Sequence, residues 1–430
     1  MACNPFTPVF GIDPVCMAGR DDLLANMSAA FSADALDPNL STVIIGARGS
    51  GKTALLNRIA RLAGQRGWVA VQTSSVEGML EDIYQRTVCA SEHLIDTPSR
   101  AQVTGVQIGQ VVGVEWQTRP PSLNWRSRME DLLDPLGEQG VGLLITVDEV
   151  NPRLDEMTLL SVAYQHFLAD GYKVALVMAG LPHNMYALLD GKSTSFMRRA
   201  RRHQLDRISD EAVRLAAVRT VESQGGQVSA SALERIVQAS AGFPYMLQLV
   251  GYWSWQSAQK GQIGGAPSGG GSVPGGREGS DGYPSSNGGA TISLKHVEEG
   301  VAVAVRDMRA SILEDTYRNL SGQDVRFLQA MALDEDESRM GDIVARLGVS
   351  NAYASQYRLR LIEQGVIGAR GRGRIGFEIP QFREYVLEQA SLDDLPDSLG
   401  PQQCSEGDWR HACEAVRQMR RGICGFEGGD

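Results

Sequence analysis

The feature that most constrains the fold is an eight-residue loop that fits the phosphate-binding pattern G-x-x-x-x-G-K-[ST] at every fixed position. The loop reads Gly46-Ala47-Arg48-Gly49-Ser50-Gly51-Lys52-Thr53. An apolar run at 42–45 precedes it, and residues 54–60 follow with the pattern of a helix. In that context the glycines let backbone N–H groups point at phosphate oxygens, and the helix N-terminus favours negative charge. The sequence therefore predicts a phosphate-binding loop between a buried strand and a helix; the alternative is a glycine-rich turn that binds no ligand.

Four side chains in and after this loop suit phosphoryl transfer. Lys52 would reach the β- and γ-phosphates of a nucleotide, and the Thr53 hydroxyl would hold Mg²⁺. Asp148 and Glu149 end a second apolar strand at 142–147. Such chemistry needs one carboxylate to orient the metal and another to polarise the attacking water. We predict the first role for Asp148 and the second for Glu149; the alternative is a pair of solvated acids at a strand end.

Composition narrows the class of protein. The chain has 430 residues and a net charge of −10, which argues against a polyanion binder along its whole length but permits a local basic patch. No apolar stretch is long enough for a membrane span, and the first residues lack the pattern of a signal peptide. The cysteines form no C-x-x-C pair, so we predict a reduced, cytoplasmic protein without a zinc site.

Strand and helix patterns alternate through the first half of the chain, which predicts an α/β core with a parallel sheet. Evenly spaced apolar residues at 103–116 predict a β-hairpin inserted in that core. We expect the core over 1–205 and a helical lid over 206–317, with a flexible Gly/Ser/Pro linker at 261–290. A winged helix over 318–390 and a poorly ordered tail over 391–430 would follow.

The predicted winged helix has helices at 325–332, 340–347 and 351–364, then two strands around a glycine- and arginine-rich tip. Its third helix would enter the major groove of double-stranded DNA, and its tip would meet the backbone or the minor groove. The candidate DNA contacts are Asn351, Ser355, Gln356 and Arg358 on the helix and Arg370, Arg372 and Arg374 on the tip. The alternative is a winged helix that contacts protein or clamps the chain internally.

The chain resembles the AAA+ superfamily over about residues 8–255 and 320–385, closest to the branch shared by origin-recognition ATPases and the signal-transduction ATPases called STAND. The resemblance rests on the loop, the predicted winged helix and five further motifs: Gly19-Arg20, Thr146-Val147-Asp148-Glu149-Val150, Ala179-Gly180-Leu181-Pro182, the arginine-rich residues 198–202 and Gly242-Phe243-Pro244. It implies ATP with Mg²⁺, ATP hydrolysis and contact of Pro244 with the nucleotide. It also implies that Arg198 or Arg199 is an arginine finger in a homo-oligomer, with a solvated basic helix or an acid-pairing face as the alternative.

Two departures from the AAA+ pattern favour slow turnover. The position after the fourth core strand, Ala179-Gly180-Leu181-Pro182, has no Asn or Thr sensor, although His183 and Asn184 lie just beyond it. In the lid, Gly242-Phe243-Pro244 stands where a sensor arginine is usual. We therefore predict a slowly hydrolysing ATP-dependent switch that binds DNA. The alternatives are a STAND-like signalling ATPase with protein partners and a nucleotide-binding protein that scarcely hydrolyses.

Overall fold

The computed structural model describes residues 3–9, 11–33, 37–92, 94, 121–264 and 290–390. Contacts divide the chain into two compact units. The first, here called the sheet unit, contains Arg20–Gly46 and Lys52–Leu205. The second, here called the helical unit, contains Met1–Gly19, Asp206–Asp430 and the loop tip Ala47–Gly51. The predicted hairpin at 103–116, the tail at 391–430 and most of the linker at 261–290 lie outside the described residues.

The sheet unit alternates strands and helices, as the sequence pattern predicts. Its helices are α1 (Asp21–Ser32), α2 (Lys52–Gln65), α3 (Met79–Ser91), α4 (Pro121–Glu138), α5 (Asp155–Ala169) and α6 (Pro182–Asp190). Its strands are β1 (Ser41–Ile45), β2 (Val69–Ser74), β3 (Leu143–Asp148), β4 (Val174–Gly180) and β5 (Arg201–Gln204). Short 3₁₀ helices at Pro38–Leu40 and Ser195–Arg199 complete this unit within the described residues.

These strands pair in parallel in the order β2-β3-β4-β1-β5. Every residue of β4 is buried, and so are the first five residues of β3. Such continuous burial is typical of parallel strands that are covered on both faces by helices. The order places the ends of β1, β3 and β4 side by side, so the polar residues that follow these strands are brought to one edge of the sheet.

Strand β5 was not predicted. Its sequence is Arg201-Arg202-His203-Gln204, with no apolar alternation, and it becomes a strand by pairing with β1 at the edge of the sheet. The alternative of a solvated basic helix at 198–202 is therefore wrong, because a 3₁₀ helix ends at Arg199 and strand β5 begins at Arg201. Burial lowers the pKa of His203 in this strand, and the charge of Arg201 lowers it further.

The helical unit has two parts in sequence. The first contains α7 (Asp210–Glu222), α8 (Ala230–Ser240), α9 (Pro244–Gly264) and α10 (Leu294–Met308), with β6 (Gln227–Val228) paired to β7 (Thr291–Ile292). A π-helical turn at Arg309–Leu313 joins α10 to α11 (Glu314–Arg318). We call this nearly continuous rod at 294–318 the connector helix. No helix in the described part of the chain has the length and apolarity needed to cross a membrane.

The second part of the helical unit, residues 322–389, is here called the C-terminal segment. Its elements are α12 (Gly322–Ala332), β8 (Ser338–Arg339), α13 (Met340–Leu347), α14 (Asn351–Glu363), β9 (Ile367–Ala369), β10 (Arg374–Phe377) and α15 (Phe382–Gln389). The three strands form an antiparallel sheet in the order β8-β10-β9. The Ser350 hydroxyl caps α14 by accepting a hydrogen bond from the amide of Tyr353.

One ion pair ties α14 to α12. The Asp324 carboxylate is almost fully buried at 2% exposure, and it accepts a 2.9 Å hydrogen bond from Nε of Arg360, whose side chain is 43% exposed. Arg360 also donates to the Ser321 hydroxyl at 2.8 Å. A buried carboxylate is costly without a partner, so Arg360 stabilises the packing of these two helices.

We expect Arg360→Ala to lower the free energy of unfolding by about 3 kcal/mol, because the substitution leaves the Asp324 charge buried and unpaired. Urea unfolding of the full chain measures this change. Arg372→Ala is the matched control: this exposed arginine should contribute less than about 0.5 kcal/mol. Equal losses in both variants would contradict a structural role for Arg360.

Candidate functional site

The sheet unit places the loop lysine and threonine in the first turn of α2. Lys52 is the first residue of this helix, and its Nζ donates a 3.0 Å hydrogen bond to the carbonyl of Gly46. The Lys52 ammonium therefore lies beside the first residue of the loop. The amide of Gly46 donates in turn to the carbonyl of Gly180 at 3.3 Å, so the loop begins beside the end of β4.

A hydroxyl and a carboxylate meet at the predicted metal position. The Thr53 Oγ1 donates a 2.5 Å hydrogen bond to Oδ2 of Asp148, the last residue of β3. Both atoms are hard oxygen ligands of the kind that Mg²⁺ prefers, and Mg²⁺ is commonly held by few protein ligands together with substrate phosphates. Thr53 and Asp148, which are far apart in sequence, thus fit a divalent ion at the foot of the loop.

Glu149 lies beside this pair in an unusual backbone conformation. Its φ is 51°, in the left-handed region that non-glycine residues rarely adopt, and its amide donates to Oδ1 of Asp148 at 2.8 Å. Holding a non-glycine residue there costs about 1–3 kcal/mol, and such strain is concentrated at functional sites. The residue is solvent-exposed, which leaves its carboxylate accessible to a water molecule.

A polar cavity of about 530 Å³ opens next to these oxygens within the sheet unit. Thr53 and Asp148 line it, together with Asn57, Gln72 and Thr73. Its volume lies in the usual range for small-molecule sites. The sheet unit therefore combines a candidate metal position, a candidate base and an accessible polar space.

The loop tip packs within the helical unit. Gly49 has a φ of +74°, and a Cβ added there would lie 2.6 Å from the Phe243 ring and 3.1 Å from Ile312. The amide of Tyr245 donates to the Gly49 carbonyl at 3.4 Å. Pro244 lies beside Gly51, with its ring 3.8 Å from where a Cβ would be. The predicted nucleotide contact Pro244 is thus next to the loop backbone.

Arg48 at the loop tip forms an ion pair with Asp315 of α11, and both side chains are about half exposed. Sequence reasoning missed Ile312 and Asp315 as neighbours of the loop. They lie more than 260 residues further along the chain, in a helix whose pattern predicts only packing. No local motif marks them, because only the folded helical unit brings the connector helix to the loop.

The candidate finger arginines differ in their surroundings. Nε of Arg198 donates to the Leu189 carbonyl at 2.9 Å, and its Nη2 lies 3.3 Å from the Asp190 carboxylate. Arg199 is exposed and makes no ion pair within the described residues. Arg199 is therefore the more available of the two for an external phosphate.

The candidate DNA contacts all lie in the C-terminal segment. Asn351, Ser355 and Gln356 are exposed on α14. Arg358 is partly buried, and its Nε is buried with no hydrogen-bond partner among the described residues. Because Nε is buried, a contact of Arg358 with an anion would use the other N–H groups of the guanidinium.

The three arginines of the β9–β10 tip differ in whether an acidic side chain pairs with them. Arg370 pairs with Glu378 at 2.7 Å, and Arg374 pairs with Glu337 at 3.1 Å. Arg372 is exposed and forms no ion pair in the part of the chain that the structure describes. The tip therefore carries one uncompensated arginine and two that are neutralised by neighbouring acids.

Comparison with known proteins gives one family and several solved structures. A family described as a domain of unknown function (DUF8462) matches residues 310–386, which include the end of the connector helix and most of the C-terminal segment. No curated protein matches the chain.

Two solved structures resemble most of the chain. The Walker-type ATPase PABY2304 of Pyrococcus abyssi is 14% identical, covers 86% of this chain and 96% of its own, and has a TM-score of 0.56. The ORC2 protein of Aeropyrum pernix, solved in ADPNP–ADP complexes, is 14% identical, covers 96% of this chain and 98% of its own, and has a TM-score of 0.53. The predicted α/β class with a parallel sheet is confirmed, and the chain shares its fold with these two structures.

We expect Gly49→Ala to lower the free energy of unfolding by about 3 kcal/mol. The added methyl group must displace the Phe243 ring, and the alanine must keep the positive φ of Gly49. Gly348→Ala is the matched control. Gly348 also has a positive φ, but nothing lies near its added Cβ, so strain alone should cost about 1 kcal/mol. Chemical denaturation measures both, and equal losses would mean that Phe243 does not pack on the loop.

Proposed function

We propose that the chain is a slowly hydrolysing ATP-dependent switch that binds double-stranded DNA through its C-terminal segment. The observation that carries the ATPase part is the meeting of the Thr53 hydroxyl and the Asp148 carboxylate at the foot of the loop, with Glu149 beside them. The two similar structures, a Walker-type ATPase and a protein solved in ADPNP–ADP complexes, support the same assignment.

Each residue has a distinct task in the proposed hydrolysis. The backbone amides of the loop and the Lys52 ammonium bind and neutralise the phosphates. Thr53 and Asp148 would hold Mg²⁺, which when bound withdraws charge from the phosphate oxygens. The Glu149 carboxylate orients a water molecule and accepts its proton as the water attacks the γ-phosphate. The products are ADP and inorganic phosphate.

Slow turnover is supported by the end of β4. The segment Ala179-Gly180-Leu181 offers no polar side chain that could contact the γ-phosphate. Transition-state stabilisation depends on donors aimed at the developing charge, so a missing donor lowers the rate. A switch that remains in its ATP state for long periods is the function that suits such a site.

The proposed switch has a physical route through the helical unit. The loop tip contacts Ile312 and pairs with Asp315 in the connector helix. Arg309, at the π-helical turn of the same helix, pairs with Glu388 of α15 and lies 4.9 Å from the centre of the Tyr385 ring. Because π-helical turns are frequent at functional positions, we infer that rearrangement of the loop on ATP binding is transmitted by this helix to the C-terminal segment.

We further propose that the C-terminal segment is a winged helix. The antiparallel sheet beside three helices supports this, with α14 as the recognition helix and β9–β10 as the wing. Exposed Asn351, Ser355 and Gln356 suit base edges, whereas Arg358 and Arg372 suit phosphates. The pairing of Arg370 and Arg374 with acids implies that these two arginines contribute less to DNA affinity than Arg372.

A homo-oligomer is part of the proposal. Exposed Arg199 would act as an arginine finger toward the γ-phosphate of a neighbouring subunit, as the AAA+ resemblance implies. Arg198 would instead hold the 3₁₀ helix in place through its bonds to Leu189 and Asp190.

We expect Glu149→Gln to bind ATP with unchanged affinity and to hydrolyse it about a hundredfold more slowly, a barrier increase of about 2.7 kcal/mol. Calorimetric titration measures binding, and phosphate release measures turnover. Lys52→Ala is the contrasting variant, because loss of the phosphate cation should remove binding itself. Unchanged turnover in Glu149→Gln would exclude this residue as the base, and unchanged binding and turnover in Lys52→Ala would contradict the ATPase assignment.

For DNA, we expect Arg372→Ala and Arg358→Ala each to weaken binding and to reduce the slope of log affinity against log salt by about 0.9 for each phosphate that the variant no longer neutralises. Asn351→Ala and Gln356→Ala should instead change the preferred sequence, because amides read base edges. Fluorescence anisotropy over a salt series measures both effects. Arg318→Ala, which removes an exposed arginine of α11, is the control and should leave the slope unchanged.

The same titrations separate the alternatives. If log affinity falls equally steeply with log salt in wild type and in Arg372→Ala, the β9–β10 tip does not contact DNA. If wild type binds no duplex with ATP, with ADP or without nucleotide, the protein-partnered STAND-like alternative is favoured. ATP binding without measurable turnover would favour a nucleotide-binding protein that does not act as an ATPase.

A further inference from the structure

The turn that carries Glu149, residues 148–151, is held on both sides by its neighbouring strands. On the β4 side, the amide of buried Val150 donates to the Ala179 carbonyl at 3.0 Å. On the β2 side, the amide of Ser75 donates to the Asp148 carbonyl at 3.1 Å. These backbone bonds extend the parallel sheet past the ends of its strands.

Ser75 makes a second contact with the same turn, through its side chain. Its Oγ accepts a 3.0 Å hydrogen bond from the amide of Asn151. Ser75 is 8% exposed, so water does not readily replace this acceptor. Its two bonds bracket Glu149, one residue before it and two residues after it.

The left-handed conformation of Glu149 needs such external support. A φ of 51° is unfavourable for a residue with a Cβ, and it persists only where surrounding contacts determine it. The Thr53 hydroxyl reaches the turn only at the Asp148 side chain, and the bonds of Val150 and of the Ser75 amide use main-chain atoms. Within the described residues, the Ser75 hydroxyl is the outside side-chain group that bonds the main chain of the turn. Loss of the hydroxyl would let Glu149 relax toward negative φ and redirect its side chain.

We propose that Ser75 is a positioning residue for ATP hydrolysis, acting by fixing the turn that aims the Glu149 carboxylate. The inference rests on the proposed function, in which Glu149 is the base. Within the described residues, Ser75 forms no hydrogen bond with the phosphate-binding residues Lys52 and Thr53, so it should affect the chemical step and not ATP affinity. A misaligned base loses much of its rate contribution even when it remains in the site.

The test compares substitutions at position 75 in the full chain. Ser75→Ala and Ser75→Cys remove the strong acceptor, and we expect kcat to fall about tenfold while the dissociation constant for ATP stays within about twofold. Ser75→Thr keeps the hydroxyl and should retain at least about a third of the wild-type kcat. Ser161→Ala is the control, because it removes another buried serine hydroxyl of the sheet unit, bonded to the Met157 carbonyl in α5. It should leave kcat and ATP affinity unchanged.

A double-mutant cycle shows whether Ser75 acts through Glu149. In the Glu149→Gln background, Ser75→Ala should cause no further loss of kcat, since the base that it positions is already absent. Additive losses would overturn the proposal, as would a wild-type kcat in both Ser75→Ala and Ser75→Cys.

Amide hydrogen exchange gives an independent readout that does not require turnover. Ser75→Ala should raise exchange at Asn151, whose amide loses its acceptor, and unchanged exchange there would also overturn the proposal. If Glu149→Gln slows hydrolysis but Ser75→Ala does not, the inference fails and the proposed function stands. If Glu149→Gln leaves hydrolysis unchanged, the proposed role of Glu149 fails first.

Discussion

The hydrogen bond between Thr53 and Asp148 is the interaction on which the candidate site depends. It joins the first turn of α2 to the end of β3, and it exists because β1 and β3 are parallel and end at the same edge of the sheet. Buried β4 lies between these strands and sets their separation. Lys52 and Thr53 follow β1, and Asp148 and Glu149 lie at the end of β3, so the candidate site is built at these strand ends.

The same edge accounts for the strain at Glu149. Parallel strands end with carbonyl and amide groups that have no partner within the sheet, and here the turn at 148–151 uses those groups of β2 and β4. Glu149 adopts its left-handed conformation between these two attachments. The cost at Glu149 is offset by bonds to both sides, which keeps an exposed carboxylate in a defined place.

In the helical unit, close packing joins the loop tip to α9 and to the connector helix. Gly49 permits the Phe243 ring to lie against the loop backbone, and Ile312 completes the contact from the connector helix. Close-packed contacts transmit displacement because they have no space in which to absorb it. Arg309 of the same helix pairs with Glu388 of α15, so the connector helix contacts both the loop tip and the C-terminal segment.

The sequence by itself determined the loop at 46–53, the acidic strand end, the alternation of strands and helices, and three of the four helices described in the C-terminal segment, because each depends on local pattern or on fixed spacing. It could not predict β5, whose polar residues become a strand only by pairing with β1. Nor could it identify Asp315 beside Arg48, Glu378 beside Arg370 or Ser75 beside the turn of Glu149. Those contacts join residues distant in sequence, and only the tertiary structure decides which hydroxyls and charges meet.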